Sequence, residues 1–126
     1  MGQSTPIGSK TILIVEDEAL VRFDLVDFFT HAEWRVFDAE NADEAIAILD
    51  AHKDIRVVLT DVQMPGSMDG VKLAHYVRER FPPTVLFFVS GNAPIPAHEL
   101  PARAKFLPKP FDPHRLLRQI ESIAQA

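Results

Sequence analysis

The chain has 126 residues, 47% of them hydrophobic, which suits one globular domain with a real core and leaves no room for a second catalytic domain. Its 18 acidic residues outnumber its 13 basic ones and no Lys/Arg run marks one face, so nucleic acid is not expected as a partner. Without cysteine there are neither disulfides nor thiolate metal sites, and no apolar run reaches the roughly 20 residues that span a bilayer; a cytoplasmic protein without membrane contact is expected.

Residues 1–10 lack the apolar core of a signal peptide, and Pro6 breaks the myristoylation pattern, so they read as a flexible leader to a single domain over 11–126. Ile12-Leu13-Ile14-Val15 is wholly apolar and mostly β-branched, as in a parallel strand covered on both faces. Val21, Leu25, Phe28 and Phe29 then share one helical face. Trp34 to Phe37 predicts a weaker strand, and Asn41 with Glu44 forms a capping box for a helix lined by Ala42, Ala45, Ile46 and Leu49. Arg56 to Thr60 predicts the third strand, followed by a Pro/Gly loop and a helix with Leu73, Ala74 and Val77 inside, which Pro82-Pro83 terminates. Val85 to Val89 and Lys105 to Leu107 predict the last two strands. Asp112 caps a final helix that has Pro113 at its first position and Leu116, Leu117, Ile120 and Ile123 as its apolar stripe.

Alternating strands and helices with right-handed crossovers predict an α/β fold: an open five-stranded parallel sheet with helices on both faces. Ligands of such sheets sit beyond the carboxyl ends of the strands. The polar residues there are Glu16 and Asp17, Asp61, Ser90 with Gly91, and Lys109. Carboxylates crowded at one edge repel each other and favour a hard, oxygen-seeking cation such as magnesium. A carboxylate is also a nucleophile toward phosphorus, and a lysine and a hydroxyl can bind the charge of the transferring oxygens.

The run Ile14-Val15-Glu16-Asp17-Glu18, the segment Leu59 to Pro65 with Asp69-Gly70, the Val89-Ser90-Gly91 junction and Lys109-Pro110-Phe111 resemble response-regulator receiver domains. The resemblance covers residues 11 to 124. It implies the flavodoxin-like (βα)5 receiver fold with strand order 2-1-3-4-5, one of the common orders of doubly wound sheets. It implies that Asp61 is the phospho-acceptor and that Glu16, Asp17, Asp61 and the main-chain carbonyl of Gln63 hold Mg2+, or Mn2+ in its place. Ser90, Gly91 and Lys109 would bind the phosphate, Ser90 and Phe106 would form the switch, and the Lys109-Pro110 bond would be cis. Phe106 lacks the hydroxyl of the tyrosine often found there.

The resemblance further implies a single-domain response regulator, not an enzyme beyond its own phosphorylation and dephosphorylation. Its partners would be a histidine kinase or histidine phosphotransfer protein and a downstream protein target, with the chain a monomer or a phosphorylation-dependent dimer. Two rivals stand beside this reading. A magnesium-dependent phosphohydrolase needs a second acid two residues after its nucleophile, where this chain has Gln63; a pseudo-receiver would act as an interaction module uncontrolled by phosphorylation. One region departs from the family pattern. The stretch from Ser90 to Lys109 is short and carries Pro94, Pro96 and Pro101, so the helix between the fourth and fifth strands should be short or degenerate, with one turn near Ala97 to Leu100. Pro65-Gly66-Ser67-Met68 also holds an extra residue. The five histidines, lacking metal-like spacing, are assigned to surface and packing roles.

Overall fold

The computed structural model describes residues 10–62, 69–90 and 97–125. The strands are β1 (Thr11–Val15), β2 (Arg35–Ala39), β3 (Val57–Asp61), β4 (Val85–Ser90) and β5 (Ala104–Pro108). The helices are α1 (Ala19–His31), α2 (Ala42–Ala51), α3 (Gly70–Arg80) and α4 (Pro113–Gln125). All strand pairs are parallel, in the order β2-β1-β3-β4-β5.

The apolar runs of β1, β3 and β4 are explained by the two cores they separate. On one face Leu13, Val15, Val58, Leu86 and Phe88 pack with Ala45 and Leu49 of α2 and Leu73, Ala74 and Val77 of α3. On the other, Ile12, Ile14, Val57, Leu59, Phe87 and Val89 pack with Leu25 and Phe29 of α1 and Leu116 and Ile120 of α4. Alternate residues of each strand thus serve opposite layers, as the pleat requires. The edge strands β2 and β5 are more exposed.

The helix starts at Asn41 and Asp112 follow the predicted chemistry, and Asp69 adds a cap for α3. Asn41 Oδ1 accepts the Glu44 N–H at 2.8 Å, while Glu44 Oε1 reaches the N–H of Glu40, one residue upstream of the usual capping-box partner. Asp69 Oδ1 accepts from Lys72 N at 2.9 Å, and Asp112 Oδ1 from His114 N at 2.9 Å. The second strand begins at Arg35, not Trp34; the indole is buried in the core edge-to-face with Phe29, at 6.2 Å between centroids.

Between β4 and β5 the described residues hold one 3-10 turn, Ala97–Glu99, at the predicted place. Pro94 and Pro96, like the Pro65 to Met68 insertion, lie outside the described residues. Pro101 is buried, and Leu100 packs against the α2/α3 core. Two contacts tie this segment to α3: His75 Nε2 lies 2.9 Å from the Glu99 carbonyl, and Arg78 Nε donates to the Ala102 carbonyl at 2.8 Å.

Candidate functional site

The carboxyl ends of β1, β3, β4 and β5 meet at one edge. Glu16 follows β1 directly and is 3% exposed; Asp61 closes β3 and is 8% exposed. Asp17 stands beside them, exposed, and one carboxylate oxygen from each of Glu16, Asp17 and Asp61 falls within 4.8 Å of the others. Lys109, just beyond β5, donates from Nζ to Asp61 Oδ2 at 2.9 Å and to Glu16 Oε1 at 3.2 Å. Ser90 ends β4, buried, in register with Pro108, and its carbonyl accepts from Lys109 N at 2.8 Å. That bond fixes the start of the β5–α4 loop, in which the Lys109-Pro110 peptide is cis as expected. Phe106 lies in register with Phe88 and is half-buried against the α2/α3 core. Gln63 and Gly91 lie outside the described residues.

The charges explain each other. Burial pushes the Glu16 carboxyl above its ordinary pKa; the Glu18 N–H, donating to Oε2 at 3.0 Å, opposes this, Asp61 adds to the rise and Lys109 offsets part of it. For Lys109, burial alone would pull the ammonium down, but the bond and charge of Asp61, then those of Glu16, outweigh burial and hold its pKa up. One ammonium thus serves two buried carboxylates, with Asp17 beside them, so the site is rich in anionic oxygen and suited to further positive charge.

Two further residues support the site, and one of them, Arg22, escapes a reading of motifs. Arg22 is buried in α1, where Nη1 donates to the Glu16 carbonyl at 2.8 Å and Nε to Asp38 Oδ2 at 3.0 Å. It bolts the backbone of the acidic pair to β2. The signal was its position three and seven residues before Leu25 and Phe29, a cation on the inward stripe of α1. Gly70, the first residue of α3, passes so close to β3 that a Cβ there would lie 2.0 Å from the Asp61 carbonyl oxygen.

This arrangement has known counterparts. The family model of the response regulator receiver domain matches residues 12–121. The chain belongs to this family. The receiver is 33% identical over 117 residues to the response regulator receiver protein CpdR of Brucella abortus, covering 90% of this chain and 96% of that protein. It is 37% identical over 122 residues to the sensor kinase CckA of the same organism, covering 94% of this chain but spanning only 13% of the kinase. Its fold superposes on the crystal structure of a response regulator receiver protein from Sinorhizobium medicae with a TM-score of 0.86 at 28% identity, covering 94% of this chain and 96% of that one. No helix among the described residues is long and apolar enough to cross a membrane.

Proposed function

We propose that this receiver accepts a phosphoryl group on Asp61 from a phosphohistidine of a histidine kinase or phosphotransfer protein, with magnesium as cofactor. The observation that carries this reading is the Asp61 carboxylate itself, at once part of an all-oxygen cluster and held by Lys109 at 2.9 Å. The donor set fits magnesium: three carboxylates, two of them buried, and no nitrogen or sulfur ligand in the group. Glu16, Asp17 and Asp61 would hold the ion, which supplies positive charge to the oxygens of the transferring group.

In the transfer, a carboxylate oxygen of Asp61 forms a bond to phosphorus as the bond from phosphorus to the donor imidazole breaks, its electron pair leaving on the ring nitrogen. Lys109, already 2.9 Å from Asp61, pairs with a phosphoryl oxygen. The Ser90 hydroxyl donates to another, and Phe106 responds to its movement. The reactions are those of the chain on its own side chain, and no other substrate is turned over. Output is by binding a protein target or passing the group on, in the cytoplasm.

Intact mass after incubation with acetyl phosphate tests this, with and without magnesium, on wild type and Asp61→Asn. A magnesium-dependent gain of one phosphoryl group, lost in the variant, is expected. Undiminished labelling of Asp61→Asn would sink the assignment, and no labelling of wild type would leave an interaction module in its place.

A further inference from the structure

The end of the sheet opposite Asp61 gathers basic residues, with Asp54 beside them in an ion pair with Arg35 at 3.6 Å. Arg56 precedes β3, Thr84 precedes β4 and Arg103 precedes β5, so these residues lie at the amino ends of the strands, about 16 Å from the acceptor given ~3.3 Å per strand residue. There a cavity of about 330 Å³ is lined by Arg56, Arg103 and Lys105, with Pro83, Val85 and Ile123 as its apolar wall. Among the described residues no carboxylate lines it. None forms an ion pair with Arg56, Arg78, Arg103 or Lys105 either.

Basic residues at this end have an ordinary role, since the helices point their carbonyl-rich C-termini here. Arg78 fills that role: it donates to the carbonyls of Pro82, Thr84 and Ala102. The other three are not used up by it. Arg56 gives one bond, to the Pro83 carbonyl at 2.6 Å, and Arg103 one, to the Pro82 carbonyl at 2.8 Å, out of five donors in each fork. The Lys105 ammonium has no hydrogen-bonding partner among the described residues. Arg78 Nη2 is buried and unpartnered, and after burial itself the positive charge of Arg103 is what lowers its pKa. Arg103 is held at φ 61°, a conformation few side-chain-bearing residues adopt. Cations gathered around a pocket whose described lining holds no carboxylate repel one another, and an anion would relieve them.

We propose that this pocket binds a small phosphate-bearing molecule with an apolar portion, of the nucleoside-phosphate class. The guanidinium forks of Arg56 and Arg103 and the Lys105 ammonium match phosphate oxygens. The wall of Pro83, Val85 and Ile123 takes the apolar part, and the volume lies at the small end of ligand pockets. The site is independent of phosphorylation at Asp61.

The test is titration of the full chain with ADP in EDTA, followed by amide NMR, on Asp61→Asn as well as wild type so that the acceptor edge is silenced. Saturable shifts at Val85, Lys105 and Ile123 are expected in both, with adenosine alone giving none. Lys105→Gln, an exposed position whose loss leaves the fold intact, should weaken binding about tenfold, as expected for one lost charge-assisted contact. Absence of saturable binding at about 1 mM, a dissociation constant worth only ~4 kcal/mol, would overturn the proposal. So would shifts confined to the Asp61 and Lys109 edge, or binding indifferent to both Lys105→Gln and Arg103→Gln.

Discussion

Replacing Gly70 by alanine sets two physical effects of opposite sign against each other. Alanine is the better helix former by about 0.5–1 kcal/mol within a helix, so propensity alone favours a more stable α3. The local geometry opposes it. The new Cβ would stand 2.0 Å from the Asp61 carbonyl oxygen, 2.9 Å from its carbon and 3.0 Å from Val62 Cα, all of them backbone atoms. To reach even 3.0 Å from that oxygen the start of α3 must retreat by at least 1.0 Å, yet Gly70 N is bonded to the Val62 carbonyl at 2.9 Å and Asp61 is held in register with Val89. Neither partner can turn aside as a flexible side chain would. Overpacking of this kind costs about 1–3 kcal/mol, which offsets the propensity gain at the lower end and exceeds it by about 2 kcal/mol at the upper. With both backbone partners fixed the upper end of the cost applies, and a net loss of about 2 kcal/mol lowers Tm by roughly 8 °C for a domain of this size. Because the clash falls on the carbonyl of the acceptor residue, labelling by acetyl phosphate should slow as well. Urea unfolding with parallel mass spectrometry reads both. A variant as stable as wild type or more so, phosphorylated at the same rate, would refute the tight β3–α3 approach as a constraint on the site.

Glu16→Gln tests the electrostatics. The folded pKa of Glu16 lies above its unfolded value, so its contribution to stability is present below the unfolded pKa and is lost as pH rises through the folded one. Melts in EDTA should therefore show less loss of Tm between about pH 5 and 8 in the variant than in wild type, and magnesium at pH 8 should raise the Tm of wild type more than that of the variant; equal magnesium gains would remove Glu16 from the ligand set. The Lys109 shift, also upward, acts at the alkaline end, where its contribution is lost as pH rises through the folded value. Arg22→Met leaves the Glu16 carbonyl without its buried donor and should cost about 1–3 kcal/mol in urea titration while slowing phosphorylation; an unchanged urea midpoint would show that Arg22 supports nothing.

The sheet was legible because its strands are buried on both faces: runs such as Ile12 to Val15 and Val85 to Val89 leave few alternatives to a central parallel strand. Asp61 and Lys109 were legible because chain order alone puts strand ends at one edge, and the structure joins them at 2.9 Å. Prolines pointed to the degenerate connection before β5, since three of them cannot share one helix. Arg22 was harder. It sits on an apolar stripe where a reading by hydrophobicity passes over it, and its partners Glu16 and Asp38 belong to different strand ends. The basic pocket was out of reach for a similar reason. Arg56, Arg103 and Lys105 are scattered along the chain and only parallel strand pairing gathers their amino ends.

Under the proposed phosphorylation, the connection before β5 also bears on how movement would leave the acceptor edge. A long crossover helix can tilt as a rod and carry a small push at one end to a distant surface, whereas the described part of this connection holds the three-residue turn Ala97–Glu99. Here the turn is tied to α3 by His75 at the Glu99 carbonyl, and the chain just beyond it by Arg78 at the Ala102 carbonyl. With Asp61 phosphorylated as proposed, a displacement of Phe106 that reaches the segment 97–102 would meet these contacts and bear on α3, the same helix whose first residue abuts Asp61. Under the proposed phosphorylation, α3 thus touches the acceptor residue at Gly70 and the segment before β5 at His75 and Arg78, so the rigidity of this one helix would set how sharply the two contacts move together.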